Sequence, residues 1–224
     1  MTSSPSNPSE QQLQAARAAL VASLRARREL DDERTLAAIA AVPRHLFVPE
    51  ALRHRAYDDV ALAIGHGQTI SQPHMVALMT RALELKPTDH VLEVGTGSGY
   101  QAAVLAQLCR YVTTVEVREE LGVRAARTLR SAGVRGVRAV LGDASGGYAP
   151  DAPYDAILVT AGADDVAPGL WEQLVPGGRL VAPVGPEDMQ VLVRWRKVTD
   201  GEPERQELTA CRFVPLVGEH GRGG

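Results

Sequence analysis

Two cysteines, Cys109 and Cys211, stand far apart in a chain of 224 residues. That number supports no disulfide framework, and the separation matches no zinc-ligand spacing, so no metal site is expected. Cys109 lies among Leu105, Leu108 and Val112, the setting of a buried, inert thiol. No apolar run approaches the roughly 20 residues that cross a bilayer. The Ser- and Pro-rich start, 1–10, lacks an apolar centre and reads as a disordered tail, not a secretory signal. A formal net charge of -3 gives no general attraction for nucleic acid or an anionic membrane. Neither partner is expected, and the cytoplasm is the expected compartment. What remains is a chain with 45% hydrophobic residues, enough for one domain with a sizeable core.

The stretch Val91-Leu-Glu-Val-Gly-Thr-Gly-Ser-Gly-Tyr100 organises that core. An apolar strand, 90–94, turns on Gly95, Gly97 and Gly99 into an Ala- and Leu-rich helix, 101–109. Strand, glycine turn and helix bring backbone N–H groups close to a nucleotide-like ligand. The spacing is G-x-G-x-G, whereas a dinucleotide fingerprint places its third glycine one position later. With Glu93 ahead of the glycines, the form resembles the first motif of class I S-adenosylmethionine-dependent methyltransferases. That cofactor needs a flat backbone surface and an acidic partner for its ribose hydroxyls.

Further strands follow at 111–117, 137–141, 154–160 and 179–184, with helices at 119–132 and 166–174 between them. The segments 190–198 and 207–217 read as two more strands around Asp200-Gly201, too close together for a helix. The expected fold is therefore α/β and Rossmann-like, with a mostly parallel sheet, helices on both faces and a C-terminal antiparallel hairpin. Ahead of it lies an N-terminal helical segment, 11–86, with helices at 11–28 and from Asp31 or Asp32 to Ala41; the α/β core spans 87–217, and 218–224 is expected to be a flexible tail.

Ligands of such sheets sit at the carboxyl ends of the strands. Glu116, about 20 residues past the glycine turn, stands where an acidic group meets a ribose, and its two oxygens can accept from both hydroxyls. Asp143, after Gly142 at the next strand end, either accepts from an adenine amino group or makes an Asx turn. In Gln68-Thr-Ile-Ser-Gln-Pro73, proline starts a helix and sets Ser71 near its N-terminus, either as a cap or as a donor to a carboxylate. Arg44 and His45, between Pro43 and Pro49, read as residues that orient neighbouring loops, and Phe47 as a buried anchor.

These residues together resemble the protein-L-isoaspartate (D-aspartate) O-methyltransferase family. The likeness covers roughly 24–217 and rests on Val42-Pro-Arg-His-Leu-Phe-Val-Pro49, Tyr57, Gly67-Gln-Thr-Ile-Ser-Gln-Pro73, Leu92-Glu-Val-Gly-Thr-Gly-Ser-Gly-Tyr-Gln101, Pro176-Gly-Gly-Arg-Leu-Val-Ala-Pro-Val-Gly185 and Phe213-Val-Pro-Leu216. It implies methyl transfer from S-adenosyl-L-methionine, leaving S-adenosyl-L-homocysteine, to isoaspartyl and D-aspartyl residues of damaged proteins. It implies Ser71 as the active-site residue, with Thr69, Ile70, Gln72 and His74 toward substrate. Around the cofactor it implies Glu93, Gly95, Thr96, Gly97, Gly99, Glu116, Val117, Gly142, Asp143 and Ala144, with Thr160 and Ala161 as weaker candidates. Ala144 departs from the family's usual glycine, a change small enough to be tolerated. Relatives that modify a dedicated biosynthetic peptide carry an added C-terminal domain; this chain stops soon after Leu216, so repair by a monomer is the expectation.

Overall fold

The computed structural model describes residues 8–222. The tail expected over 1–10 lies outside them as far as residue 7. Ser9 belongs to the first helix, α1 (Glu10–Arg25), through a capping box in which Gln12 N–H donates to Ser9 Oγ and Ser9 N–H to Gln12 Oε1. The helix buries Leu13, Leu20, Val21 and Leu24 and ends three residues before the expected Arg28, because the chain turns there to bury Leu30. Asp32 caps α2 (Glu33–Ala41), accepting from the N–H groups of Arg34 and Thr35. Arg25 at the end of α1 pairs with Glu33 at the start of α2 at 2.8 Å.

Two strands were invisible in the sequence. β1 (Leu62–Gly65) and β2 (Gln68–Ile70) form a small antiparallel hairpin closed by Gly65, His66 and Gly67. They are too short for an alternation to stand out, and a lone hairpin is marginal in water. This one persists because Leu62, Ile64 and Ile70 enter the main core. α3 (Pro73–Ala82) follows, with Pro73 in its first turn.

The remaining strands are β3 (His90–Val94), β4 (Tyr111–Glu116), β5 (Val137–Leu141), β6 (Tyr154–Val159), β7 (Leu174–Val184), β8 (Gln190–Arg196) and β9 (Glu204–Cys211), with helices α4 (Tyr100–Leu105), α5 (Glu119–Ser131) and α6 (Pro168–Glu172). They form one seven-stranded sheet in the order β5-β4-β3-β6-β7-β8-β9. β5 to β7 run parallel, while β7–β8 and β8–β9 are antiparallel. Strand order reverses beside β3, which puts the switch point at the glycine turn. Successive side chains of the central strands feed two cores: Val91, Leu158 and Val181 face the N-terminal helices, whereas Leu92, Ile157, Val159 and Leu180 pack with Leu170 of α6.

Several expected boundaries change, with α4 ending at Leu105 ahead of Cys109 and α6 covering only Pro168–Glu172 of 166–174. β7 starts at Leu174, ahead of Pro176-Gly177-Gly178, and those residues bulge out where Tyr154 pairs with Leu174 and Ala156 with Arg179. β9 ends at Cys211, not Val217, because the chain then leaves the sheet edge and crosses to Gly162. Pro215, which has no N–H for a ladder, was the signal for that departure.

The N-terminal segment is joined to the core by Arg44. Its guanidinium is fully buried, donates from Nε to the Ala56 carbonyl (2.9 Å) and from Nη2 to the Ser71 carbonyl (2.7 Å), and lies 4.9 Å over the Tyr100 ring. Burial lowers its pKa to about 10. Replacing it by methionine leaves two carbonyls without a donor, at roughly 1–3 kcal/mol each, but relieves a buried charge. Arg44→Met is therefore expected to lose about 2 kcal/mol in urea denaturation; a gain in stability would show that the cost of the buried charge outweighs its two hydrogen bonds.

Candidate active site

Gly95 lies where β3 meets the backbone of its neighbour. A Cβ there would stand 2.5 Å from Thr160 Oγ1, whose hydroxyl is shared between the carbonyls of Val94 (2.9 Å) and Gly95 (2.6 Å). With a φ of +95° as well, only glycine fits. Gly99 serves a different surface. Its missing Cβ makes room for Leu129 of α5, 3.2 Å from where the carbon would be. It therefore shapes the packing beneath the turn and does not line the cavity that the turn opens into.

That cavity is walled by Glu93, Gly95, Thr96 and Gly97 of the turn, by Glu116 and Val117 beyond β4, by Gly142 and Ala144 beyond β5, and by Thr160 and Ala161 beyond β6. Thr69, Ile70 and Ser71 form its opposite rim. The strand-end residues thus converge as their spacing predicts. Ala144 is buried in the wall, so its methyl is accommodated.

Glu116 is almost fully buried and holds two backbone groups. Its Oε2 accepts from Gly97 N–H at 2.8 Å and its Oε1 from Arg118 N–H at 3.0 Å. Each oxygen keeps accepting capacity toward the cavity. Glu93, one strand over, has no exposed surface. Thr114 Oγ donates to its Oε2 at 2.5 Å and Thr114 shares a further 2.6 Å bond with Thr96, while Glu93 Oε1 has no partner. Burial, helped by the nearby Glu116, pushes Glu93 up to about 8.

Asp143 does not line the cavity. Its Oδ1 accepts from Ser145 N–H (2.8 Å), the Asx turn left open by the sequence, and its Oδ2 from Glu219 N–H (2.7 Å). His220 N–H donates to Ser145 Oγ (2.9 Å), and Arg222 reaches Asp164 Oδ1. The flexible tail expected from residue 218 is thus pinned across the strand ends through residue 222, because turn donors and buried acceptors meet there. Residues 214–217 complete the wall, held by Gly162 N–H to the Val214 carbonyl and Leu216 N–H to the Gly162 carbonyl, both 2.8 Å. The sequence reading gave these residues to a strand and missed their place in the wall.

Ser71 lies one residue before the N-cap of α3, and that helix has no side-chain cap. The capping role considered for Ser71 is absent, and its hydroxyl makes no hydrogen bond among the described residues. The helix start is held instead by Asp59, whose Oδ1 accepts from His74 N–H at 2.8 Å. The His74 ring meets Glu29 Oε1 at 3.2 Å, so it is tied outward to the turn between α1 and α2. Gln72 and His74 line a second cavity, which shares Thr69, Ser71, Thr160 and Val214 with the first.

The raised Glu93 has a consequence for stability. Between its unfolded value of 4.5 and its folded value of about 8, the folded state binds the proton that the unfolded state has lost. Its contribution is complete below 4.5 and falls as pH rises toward 8. Glu93→Gln removes the titration. The stability difference between Glu93→Gln and wild type, read from denaturation midpoints, is expected to shift in the variant's favour from pH 5 to pH 8; a pH-independent difference would contradict the assignment.

The sequence matches the family described as Protein-L-isoaspartate(D-aspartate) O-methyltransferase (PCMT) over residues 15–221. The protein-L-isoaspartate O-methyltransferase of Opitutus terrae is 54% identical over 86% of this chain and 82% of its own length. That of Methanoculleus marisnigri is 52% identical over 88% of this chain and 89% of its own. Among solved structures, a protein-L-isoaspartate O-methyltransferase superposes with a TM-score of 0.82 at 28% identity, covering 92% of this chain and 67% of that one. A Plasmodium falciparum structure in complex with S-adenosyl-L-homocysteine shares the fold, with a TM-score of 0.76 at 24% identity, covering 90% of this chain and 98% of its own. The chain therefore belongs to the protein-L-isoaspartate O-methyltransferase family.

Proposed function

We propose that Ser71 holds the acceptor carboxylate of an isoaspartyl residue while the glycine turn and Glu116 hold the methyl donor. The enzyme is an S-adenosylmethionine-dependent carboxyl methyltransferase acting on isoaspartyl residues of damaged proteins. When bound, S-adenosylmethionine supplies a methyl group on a positively charged sulfur. The observation that carries the residue assignment is one cavity lined both by Ser71, whose hydroxyl has no partner among the described residues, and by the buried Glu116.

The residues present suit such a donor. Glu116 has accepting capacity left for two vicinal hydroxyls, and the backbone of Gly95 and Gly97 lines the same cavity beside it. Thr96, Val117, Gly142, Ala144 and Thr160 complete the surround. Gly99 and Asp143 act from behind the wall, Gly99 by seating α5 and Asp143 by fixing the turn at Ser145. Glu93, held neutral below about pH 8, adds a carboxyl group without adding charge.

An α-carboxylate is already ionised at neutral pH, so no residue has to remove a proton from it. One of its oxygens forms the new bond to the methyl carbon as the carbon–sulfur bond breaks. Ser71 Oγ–H donates to the other oxygen and fixes the line of approach. A neutral hydroxyl orients the nucleophile with less loss of its charge than a guanidinium would cause. Ile70 and Thr69 exclude water on the near side, Gln72 flanks the acceptor, and His74, tied to Glu29, orients the rim and moves no proton. The methyl ester is more electrophilic than the carboxylate; the amide nitrogen of the next residue attacks its carbonyl carbon, closes a succinimide and expels methanol, and hydrolysis of the ring returns some normal aspartate. D-Aspartyl residues are a second proposed substrate, and a cytoplasmic monomer without a nucleic-acid partner is the proposed setting.

Ser71→Ala is expected to keep the fold and cofactor binding and to lose roughly 100-fold in kcat on an isoaspartyl peptide, the scale of a misplaced nucleophile. Unchanged kcat/KM would defeat the assignment. Glu116→Ala is expected to weaken S-adenosylmethionine binding by at least about tenfold in calorimetry, given what hydrogen bonds to a charged group contribute; wild-type affinity would remove Glu116 from the cofactor site. For the reaction itself, labelled methyl transfer to matched peptides carrying Asp, isoAsp or D-Asp is the deciding assay. Methylation of the Asp peptide alone would overturn the repair reading.

A further inference from the structure

The second cavity continues outward from Ser71 and is where a peptide flanking the acceptor would lie. One wall comes from Thr69, Gln72, His74 and Met75, the other from residues 209–214 as the chain leaves β9. Among the described residues no aspartate or glutamate lines it. Its ionisable side chains are His74, Cys211 and Arg212. His74 is engaged by Glu29, and burial pushes the Cys211 thiol up to about 11, which leaves it uncharged.

Arg212 stands apart. It is exposed at the groove, and among the described residues it makes no hydrogen bond or ion pair. The backbone that carries it is fixed on both sides. Cys211 pairs with Gln190 in the β8–β9 register, and the fully buried Gln190 accepts from Phe213 N–H through Oε1 at 2.8 Å. A free guanidinium is thus presented from a rigid base at the rim of a groove without carboxylates, on a protein whose overall charge is -3.

We propose that Arg212 reads a second carboxylate on the substrate peptide, an Asp or Glu side chain flanking the isoaspartyl residue or the peptide's own C-terminus, so that acidic peptides are preferred. This rests on the reading of Ser71 as the group that takes the acceptor carboxylate. A guanidinium on the acceptor itself would draw charge from the nucleophile; on a neighbouring carboxylate it contributes binding and register without touching the reacting oxygen. Being exposed, the pair is a specificity device of modest strength, screened by salt.

The test uses isoaspartyl peptides that differ at one position: Glu, Gln or Lys beside the isoaspartyl residue, each with a free or amidated C-terminus. For the wild-type enzyme, kcat/KM for the Glu peptide is expected to exceed that for the Gln peptide by about three- to fivefold at low salt, carried by KM, and the ratio to shrink in high salt. Arg212→Gln is expected to bring the ratio near one, and Arg212→Glu to turn the preference toward Lys. If the free C-terminus gives the effect and the Glu side chain does not, the ligand is the terminal carboxylate. Equal ratios in wild type, or a preference that survives Arg212→Gln, overturn the proposal. Methylation of none of the isoaspartyl peptides would instead overturn the active-site reading beneath it.

Discussion

Arg44 donates to the carbonyl of Ser71 from a position with no exposed surface, and the order of the active site depends on that bond. The substrate-side rim belongs to a short hairpin and a helix start, neither of which is stable by itself. The cofactor side belongs to the parallel sheet, whose strands are joined by continuous ladders. Arg44 couples the two, since the guanidinium that holds Ser71 also lies over Tyr100, the first residue of the helix after the glycine turn. Phe47 packs edge-on against the same ring, at 5.7 Å between centroids. Burying a cation without a carboxylate at contact distance is costly. The geometry explains why it is retained: a planar guanidinium can span two carbonyls and stack on a ring at once, which an ammonium cannot.

The two glutamates beside the turn show how environment divides one residue type into two tasks. Glu116 sits at a strand end, where the chain bends and frees backbone N–H groups, and it collects two of them. Glu93 lies within β3, where the backbone donors are committed to the ladder, and it has only a threonine hydroxyl. A carboxylate stabilised by donors can carry charge in a buried wall, whereas one without them takes up a proton. The Thr96–Thr114–Glu93 chain then positions the turn with hydrogen bonds that add no second negative charge beside Glu116.

The sheet was legible because its strands are long apolar runs between glycine and proline breaks, and because Glu116 and Gly142 fall at strand ends at the spacing the topology requires. The Ser71 rim was legible as a stretch but not as a structure. Seven strand residues around Gly65-His66-Gly67 give no periodic signal, and their stability comes from Ile64 and Ile70 reaching a distant core. Asp143 illustrates the other limit. Sequence position made it a candidate for adenine, but its carboxylate is occupied by N–H groups of Ser145 and Glu219, and the second of these lies 76 residues away. The wall at 214–217 was missed for the same reason: its hydrogen bonds run to Gly162, a partner no local pattern names. Local chemistry can be read from a chain, whereas contacts between remote loops depend on the completed topology.

The absence of a general base beside Ser71 follows from the reaction and says why the enzyme is built as it is. An ionised carboxylate needs no activation, but in water it is sheathed by solvent and free to turn, so the protein's task is to remove both freedoms. Charge near the acceptor oxygen would work against that task. Beside Ser71 the cavity lining offers neutral groups, an amide at Gln72 and hydroxyls at Thr69 and Thr160. The charges that hold this rim are kept one step back, in Arg44 behind the Ser71 carbonyl and Asp59 behind the His74 N–H. From there they act on backbone atoms, and through the backbone they set the angle between two substrates that carry the chemistry themselves.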